Sequence, residues 1–217
     1  QGPSWHHIPS NLLANHSQED LSFSTLRVPA RGVTVHPTPE IDAIVDWQSP
    51  QDGIMKIDGW VADVDSVCGN GIEWAVHWFH RHGMTELSRG SIENGDRETF
   101  SIEEPLQIQR GDLVRLIISP KDKSHVCDTT QIELKIQGLS ASDPKWTLSS
   151  DIVDRIHEGN PLSDHLGNAD VWHFCRSDSE SKDPAVSVTI LLHGSPLIFS
   201  HMAKIGRKNS GRLPIRF

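Results

Sequence analysis

The chain has 217 residues, with no tyrosine and only three cysteines. The lack of tyrosine removes the His/Tyr pairing common in polysaccharide lyases. Cys68, Cys127 and Cys175 are too few for a disulfide scaffold. No apolar run reaches the length of a transmembrane helix, so no membrane insertion is expected. Basic residues are the minority: 20 Lys and Arg against 29 Asp and Glu leave a formal net charge of -9. No basic stripe is present to neutralise phosphates, which argues against a nucleic-acid partner and against an anionic membrane surface. Also missing are a Gly-x-Ser-x-Gly elbow, a phosphate loop, a dinucleotide fingerprint and a His-Glu-x-x-His pair. His193-Gly194-Ser195 sets a histidine beside a serine, a pairing far more often structural than catalytic at a strand end.

What remains reads as β-structure. Ile72-Glu73-Trp74-Ala75-Val76-His77-Trp78 alternates with period two, so Trp74, Val76 and Trp78 share one face and Glu73, Ala75 and His77 the other. Leu113–Ser119 and Thr130–Ile136 are further hydrophobic or alternating runs, separated by Gly-, Asp- and Asn-bearing turns. Within Ile54–Asp63, Gly59 marks a bulge or a close backbone contact. The predicted fold is all-β: an antiparallel β-sandwich, jelly-roll-like, with a long irregular insert.

The expected organisation has five parts. Residues 1–24 are an N-terminal arm that begins with Gln1-Gly2-Pro3, read as the remnant of a cleaved tag. Residues 25–137 are the sandwich core. Residues 138–184, rich in Ser, Asp, Asn, Pro and Gly, are the irregular insert, with a short helix near 150–156. Residues 185–203 are a returning strand, and 204–217 a basic tail.

Five groups of residues carry candidate chemistry. Asp63 and Asp65 flank a strand end, Asn70 and Glu73 follow a glycine-bearing turn, and Asp128 precedes the strand that begins near Thr130. Acidic groups crowded into loops repel one another unless a cation offsets the repulsion, so a structural calcium ion is the expected cofactor. The competing reading is a solvated turn whose Asp and Asn side chains cap their own backbone. Cys68 and Cys127 lie in polar loops at strand ends; they either pair in an oxidising compartment or are two unrelated thiols. Seven tryptophans suit a sandwich core or sugar stacking. Trp47, Trp60, Trp74 and Trp78 sit in strands and read mostly as core. Trp146 and Trp172 lie in the irregular insert and are the ligand-binding candidates, with loop anchoring as the alternative. His80 and His82 have strand spacing for joint ligation, but two histidines do not make a metal site. Asn15-His16-Ser17 fits a glycosylation acceptor.

A resemblance runs through Arg31-Gly32-Val33-Thr34-Val35-His36-Pro37, Val45-Asp46-Trp47-Gln48-Ser49-Pro50, Asp63-Val64-Asp65, Gly69-Asn70-Gly71-Ile72-Glu73-Trp74, His125-Val126-Cys127-Asp128-Thr129-Thr130 and Trp172-His173-Phe174. Across roughly residues 25–190 the chain resembles the non-catalytic β-rich region inside large exported planctomycete proteins that also carry cytochrome-like domains. The chain itself has no Cys-x-x-Cys-His haem attachment. The resemblance implies an extracellular, cell-surface or periplasmic module, carbohydrate-binding or surface-associated, whose partners are polysaccharide or other domains of a larger protein. It implies no catalytic residues. Two other classes stay open: a sandwich-fold polysaccharide lyase or glycosidase, which needs two acidic groups or a His and a basic group facing one cleft, and a structural or protein-interaction domain.

Overall fold

The computed structural model describes residues 12–178 together with two short strands, Leu191–Leu192 and Ser195–Pro196. Two antiparallel sheets face each other. The first is built from β1 (Leu13–Ala14), β4 (Val33–Val35), β6 (Gly53–Asp63), β9 (Arg97–Ser101), β10 (Leu106–Ile108), β12 (Thr130–Gly138) and β13 (Lys145–Thr147). The second has the order β14-β5-β11-β7-β8, with β5 at Ile41–Gln48, β7 at Ile72–His80, β8 at Gly83–Ile92, β11 at Leu113–Pro120 and β14 at Trp172–Asp178. A small hairpin, β2 (Leu21–Phe23) with β3 (Leu26–Val28), stands apart.

Period-two alternation builds the core. Met55, Ile57 and Val61 of β6 and Ile132, Leu134 and Ile136 of β12 point inward from the first sheet. Ala43, Val45 and Trp47 of β5, Trp74 and Val76 of β7, and Val114, Leu116 and Ile118 of β11 answer from the second. Trp74 stacks on Phe100 of the first sheet, with ring centroids 5.1 Å apart. Trp78, expected inward with Trp74 and Val76, is only half-buried and donates Nε1–H to Asp112. Register explains Gly59, which pairs in line with Leu134 and Phe100. A Cβ there would lie 2.2 Å from the Glu133 carbonyl oxygen, so close approach, not a bulge, requires the glycine.

The expected arm and insert are both more ordered than their sequence suggested. Leu13–Ala14 pairs with β4, so the sandwich reaches back to the start of the described residues. The insert supplies β13, the short helix α1 (Leu148–Ile152) and β14. β14 pairs with β5 over seven residues and so performs the closing role expected of 185–203. Most of that stretch and the tail lie outside the described residues, except that Leu191–Leu192 pairs with Ser195–Pro196. Among the described residues no helix is long and apolar enough to cross a membrane.

Candidate cation site

Three loops meet at one end of the sandwich: 64–71 between β6 and β7, 93–96 between β8 and β9, and 121–129 between β11 and β12. A disulfide between Cys68 and Cys127, with Cα atoms 5.5 Å apart, joins the first loop to the third. Asp63, the last residue of β6, ties the first loop to the second. Its Oδ1 accepts the Asp65 N–H and its Oδ2 accepts the Gly95 N–H, each at 2.8 Å. Gly71 closes the first loop with φ +85, and a Cβ there would fall 1.9 Å from the Ile92 carbonyl oxygen. Only glycine meets both demands.

Inside this frame sit polar atoms that no donor reaches. Asp128 is 1 % exposed, and neither carboxylate oxygen has a hydrogen-bond partner. Asp65 is 8 % exposed, and its Oδ1 is also unpartnered. Asn70 donates Nδ2–H to the Lys121 carbonyl and Asn94 donates to the Ser66 carbonyl, but both Oδ1 atoms are buried without a donor. The acids feel one another. Burial, with the Asp63 charge behind it, pushes the Asp128 carboxyl up to about 6. Burial also raises Asp63, and the Asp65 and Asp96 charges add to that rise against the two amide bonds. An Asp65 carboxylate oxygen and the two cysteine sulfurs all lie within 4.8 Å of one another.

Asp63, Asp65 and Asp128 lie at the same end of the sandwich, but the acidic ligand atoms found within 4.8 Å of two others are those of Asp65, beside the two cysteine sulfurs. Asn70 belongs to the same end. Glu73 does not: it follows Ile72 and precedes Trp74, both inward, so alternation turns it to the outer face, where it is exposed. The sequence reading missed Asn94, which looked like part of an ordinary hairpin turn. It also missed two flanking histidines. His36 bonds through Nδ1 with the Thr129 hydroxyl, and its ring lies 6.0 Å from that of His125, which is itself in the third loop. Burial and the neighbouring His125 hold His36 below the usual imidazole range, while Asp65 pulls the other way. The pairing of β4 with β12 brings His36 beside this loop, a neighbourhood that sequence order alone does not give.

The two ligand-binding tryptophans are corrected as well. Trp146 and Trp172 are both fully buried, so neither offers a ring to a sugar. Trp146 packs on Trp47 with centroids 5.0 Å apart and donates Nε1–H to Asp164 at 2.7 Å. Trp172 donates Nε1–H to Asp151 at 2.8 Å. Both are anchors that tie irregular chain to the core. Trp60, on the outer face of the first sheet, is half-buried like Trp78, with the Arg97 guanidinium 4.0 Å from its ring centroid. Asn15 is 1 % exposed, its amide donating to the Glu19, Val28 and Pro29 carbonyls, so in the folded chain it cannot take a glycan.

Elsewhere several titratable groups are engaged. His80 Nδ1 accepts the His82 N–H, and His82 Nε2 accepts from Arg81, which disposes of joint ligation in this arrangement. Arg115 grips Asp46 with two 2.8 Å bonds beneath the Phe79 ring. Cys175, buried beside that pair, has its thiol pushed far above the ordinary value and is no nucleophile. On the outer face of β7 and β8 a cleft of about 430 Å³ is lined by Glu73, Glu86, Arg89, Ser91 and Ser119.

Comparison with known proteins finds no matching family model, no matching curated protein and no matching solved structure.

Proposed function

We propose that this chain is a non-catalytic recognition module of a larger exported protein, taking a polysaccharide along the outer face of the five-stranded sheet. The observation that carries the reading is the cleft of Glu73, Glu86, Arg89, Ser91 and Ser119. Its walls are strand residues, held at fixed spacing by the β7–β8 and β7–β11 ladders. Carboxylates accept from sugar hydroxyls, a guanidinium donates to them, and serine hydroxyls do both. An enclosed apolar pocket would suit a small hydrophobic ligand better; this cleft is open, and its polar side chains share the lining with Trp74, Ala75 and Gly90. A disulfide on the surface loops favours an oxidising compartment and hence export.

The state of Glu86 suits an acceptor in a binding cleft, although an ionised carboxylate would equally serve a glycosidase as base or nucleophile. Arg89 and, behind it, His77 hold its carboxyl below the usual range. Glycoside hydrolysis needs one carboxylic acid that stays protonated near neutral pH. Glu86 is an acceptor for a ligand hydroxyl instead.

Affinity electrophoresis against plant and marine polysaccharides tests this. At least one polysaccharide is expected to retard the chain, and Arg89→Ala and Glu73→Gln to abolish the retardation while leaving the thermal midpoint within a degree or two. Retardation by none of them, or retardation unchanged in both variants, rejects the reading.

A further inference from the structure

We propose that the loop end of the sandwich is a calcium site, with the Asp65 and Asp128 carboxylates as its charged ligands and the Asn70 and Asn94 amide oxygens as neutral ones. Among the described residues, five buried side-chain oxygens without a donor belong to the loops at this end: both of Asp128 and one each of Asp65, Asn70 and Asn94. Each of the four side chains comes from one of the three loops that the disulfide and Asp63 fasten together. The amides are already oriented. Their N–H groups are spent on the Lys121 and Ser66 carbonyls, which leaves oxygen, not nitrogen, as the free end.

A buried carboxylate with no donor is expensive to keep, because it has lost water and gained nothing. Other chains meet that cost with backbone amides or a guanidinium. In the third loop Lys121 pairs with Glu93 instead. A hard divalent cation supplies the missing charge and satisfies every orphaned oxygen at once. Calcium takes 6 to 8 oxygens in flexible geometry, so five protein oxygens and one to three waters fit it. Magnesium demands near-ideal octahedral geometry and sheds water reluctantly, which irregular loops serve poorly. Zinc would want the sulfurs of Cys68 and Cys127 as thiolates, and in the disulfide they are not thiolates. Asp63 is a positioning residue: both its oxygens hold loop amides, and through them it sets where Asp65 and Asn94 stand.

Equilibrium dialysis with radioactive calcium on the oxidised chain should give one ion per molecule. Thermal unfolding in EDTA and in calcium a hundredfold above the dissociation constant should differ by about 5–10 °C. Asp128→Asn and Asp65→Asn should each abolish that difference, and Asp128→Asn should leave the midpoint in EDTA equal to or above that of the parent, since it removes the orphaned charge. Magnesium at the same concentration should shift the midpoint less. No calcium bound and no shift would overturn the site. So would a calcium shift that survives in both variants, because the ion would then lie elsewhere. Zinc bound more tightly than calcium, with two more thiols titrating than Cys175 alone accounts for, would replace the calcium site with a thiolate one.

Discussion

Two polar regions of this molecule bury carboxylates, and they differ in one respect. In the stretch from Gly138 to Val171 every buried acid is answered. Asp164 accepts from Trp146, from the Asn168 side chain and from the Leu166 and Asn168 backbone amides. Asp151 accepts from Trp172 and bonds with His165. Glu133, on the neighbouring strand, receives the Ser149 N–H and hydroxyl. At the loop end, Asp65 and Asp128 are as deeply buried, and three of their four oxygens have no donor. The first region is complete as a piece of protein. The second leaves buried oxygens unanswered.

The largest expected effect comes from breaking the complete region. Trp146→Ala should cost about 3–5 kcal/mol in urea unfolding, because it opens a cavity against Trp47 and strips one donor from Asp164. Sugar retardation at temperatures where the variant is folded should not change. Loss of retardation in folded Trp146→Ala would restore the ligand-contact role that its burial denies.

How much of this contrast was legible in the sequence follows from where period two operates. Strands announce themselves, so Trp74 and Val76 were placed correctly, and the same parity put Glu73 on the other face. Enlisting Glu73 beside Asp63 overlooked it. Asp63, Asp65 and Asp128 sit at strand ends, where antiparallel pairing of β6 with β12 sets Asp63 opposite Thr130. That shared end was readable because one antiparallel pairing decides it. Asn94 and His36 needed the order of strands across the sheets, which no local pattern encodes. Trp146 and Trp172 were misjudged for a related reason. A segment rich in Ser, Asp and Gly carries no periodicity, so its composition says it is loop and says nothing about which of its side chains point inward. The carboxylates that receive their indole N–H groups, Asp164 and Asp151, lie 18 and 21 residues away.

Reducing the disulfide is the next largest perturbation, and it acts on the incomplete region. Cys68 and Cys127 are 59 residues apart in sequence. Chain entropy puts the stabilisation at about 4 kcal/mol, with engineered and native cases often lower. Cys68→Ser with Cys127→Ser should lower stability in EDTA by about 2–4 kcal/mol, measured by denaturant unfolding, and should weaken calcium binding as well, because two of the loops are no longer fastened. The Trp146 fluorescence environment should not move below the transition.

The two regions also separate by pH in EDTA. Asp128 has a folded pKa raised to about 6, above its ordinary 3.8, so the folded state holds more protons than the unfolded one between those values. Its contribution is fully present below about 4 and is lost as pH rises through 6, by at most about 3 kcal/mol. Asp164 runs the opposite way. Burial alone would raise it, but the bonds from Asn168 and Trp146 outweigh burial and hold it low. Its contribution is present above its unfolded value and is lost as pH falls through the lower folded one. Burial raises Asp151 and Glu133, which slope with Asp128. The share belonging to the loop end is therefore the part of the slope between pH 4 and 6 that Asp128→Asn removes. A slope unchanged by that substitution would show Asp128 to be as well satisfied as Asp164.

The smallest expected effect is the sharpest test of the contrast, because it manufactures an orphan inside the complete region. His165 bonds through Nδ1 to Asp151 Oδ1 at 2.6 Å, and its own side chain is 48 % exposed. His165→Ala leaves that oxygen without its partner, formally the condition of Asp65. The outcome should still be mild. Removing a half-exposed side chain admits water to the vacated place, and water replaces a hydrogen bond at little cost. Asp151 Oδ2 keeps the Trp172 N–H. A loss of about 0.5–1 kcal/mol is expected, with no calcium response gained, since one carboxylate beside an indole donor is no cage for a divalent ion. Asp128 has no such escape: it is sealed at 1 % exposure beneath Gly69, whose Cβ, if it had one, would lie 3.1 Å from Asp128 Oδ1. If His165→Ala instead cost as much as Trp146→Ala, water would not be reaching Asp151. An unanswered carboxylate would then be destabilising wherever it arose, and the loop end would need its cation simply to fold.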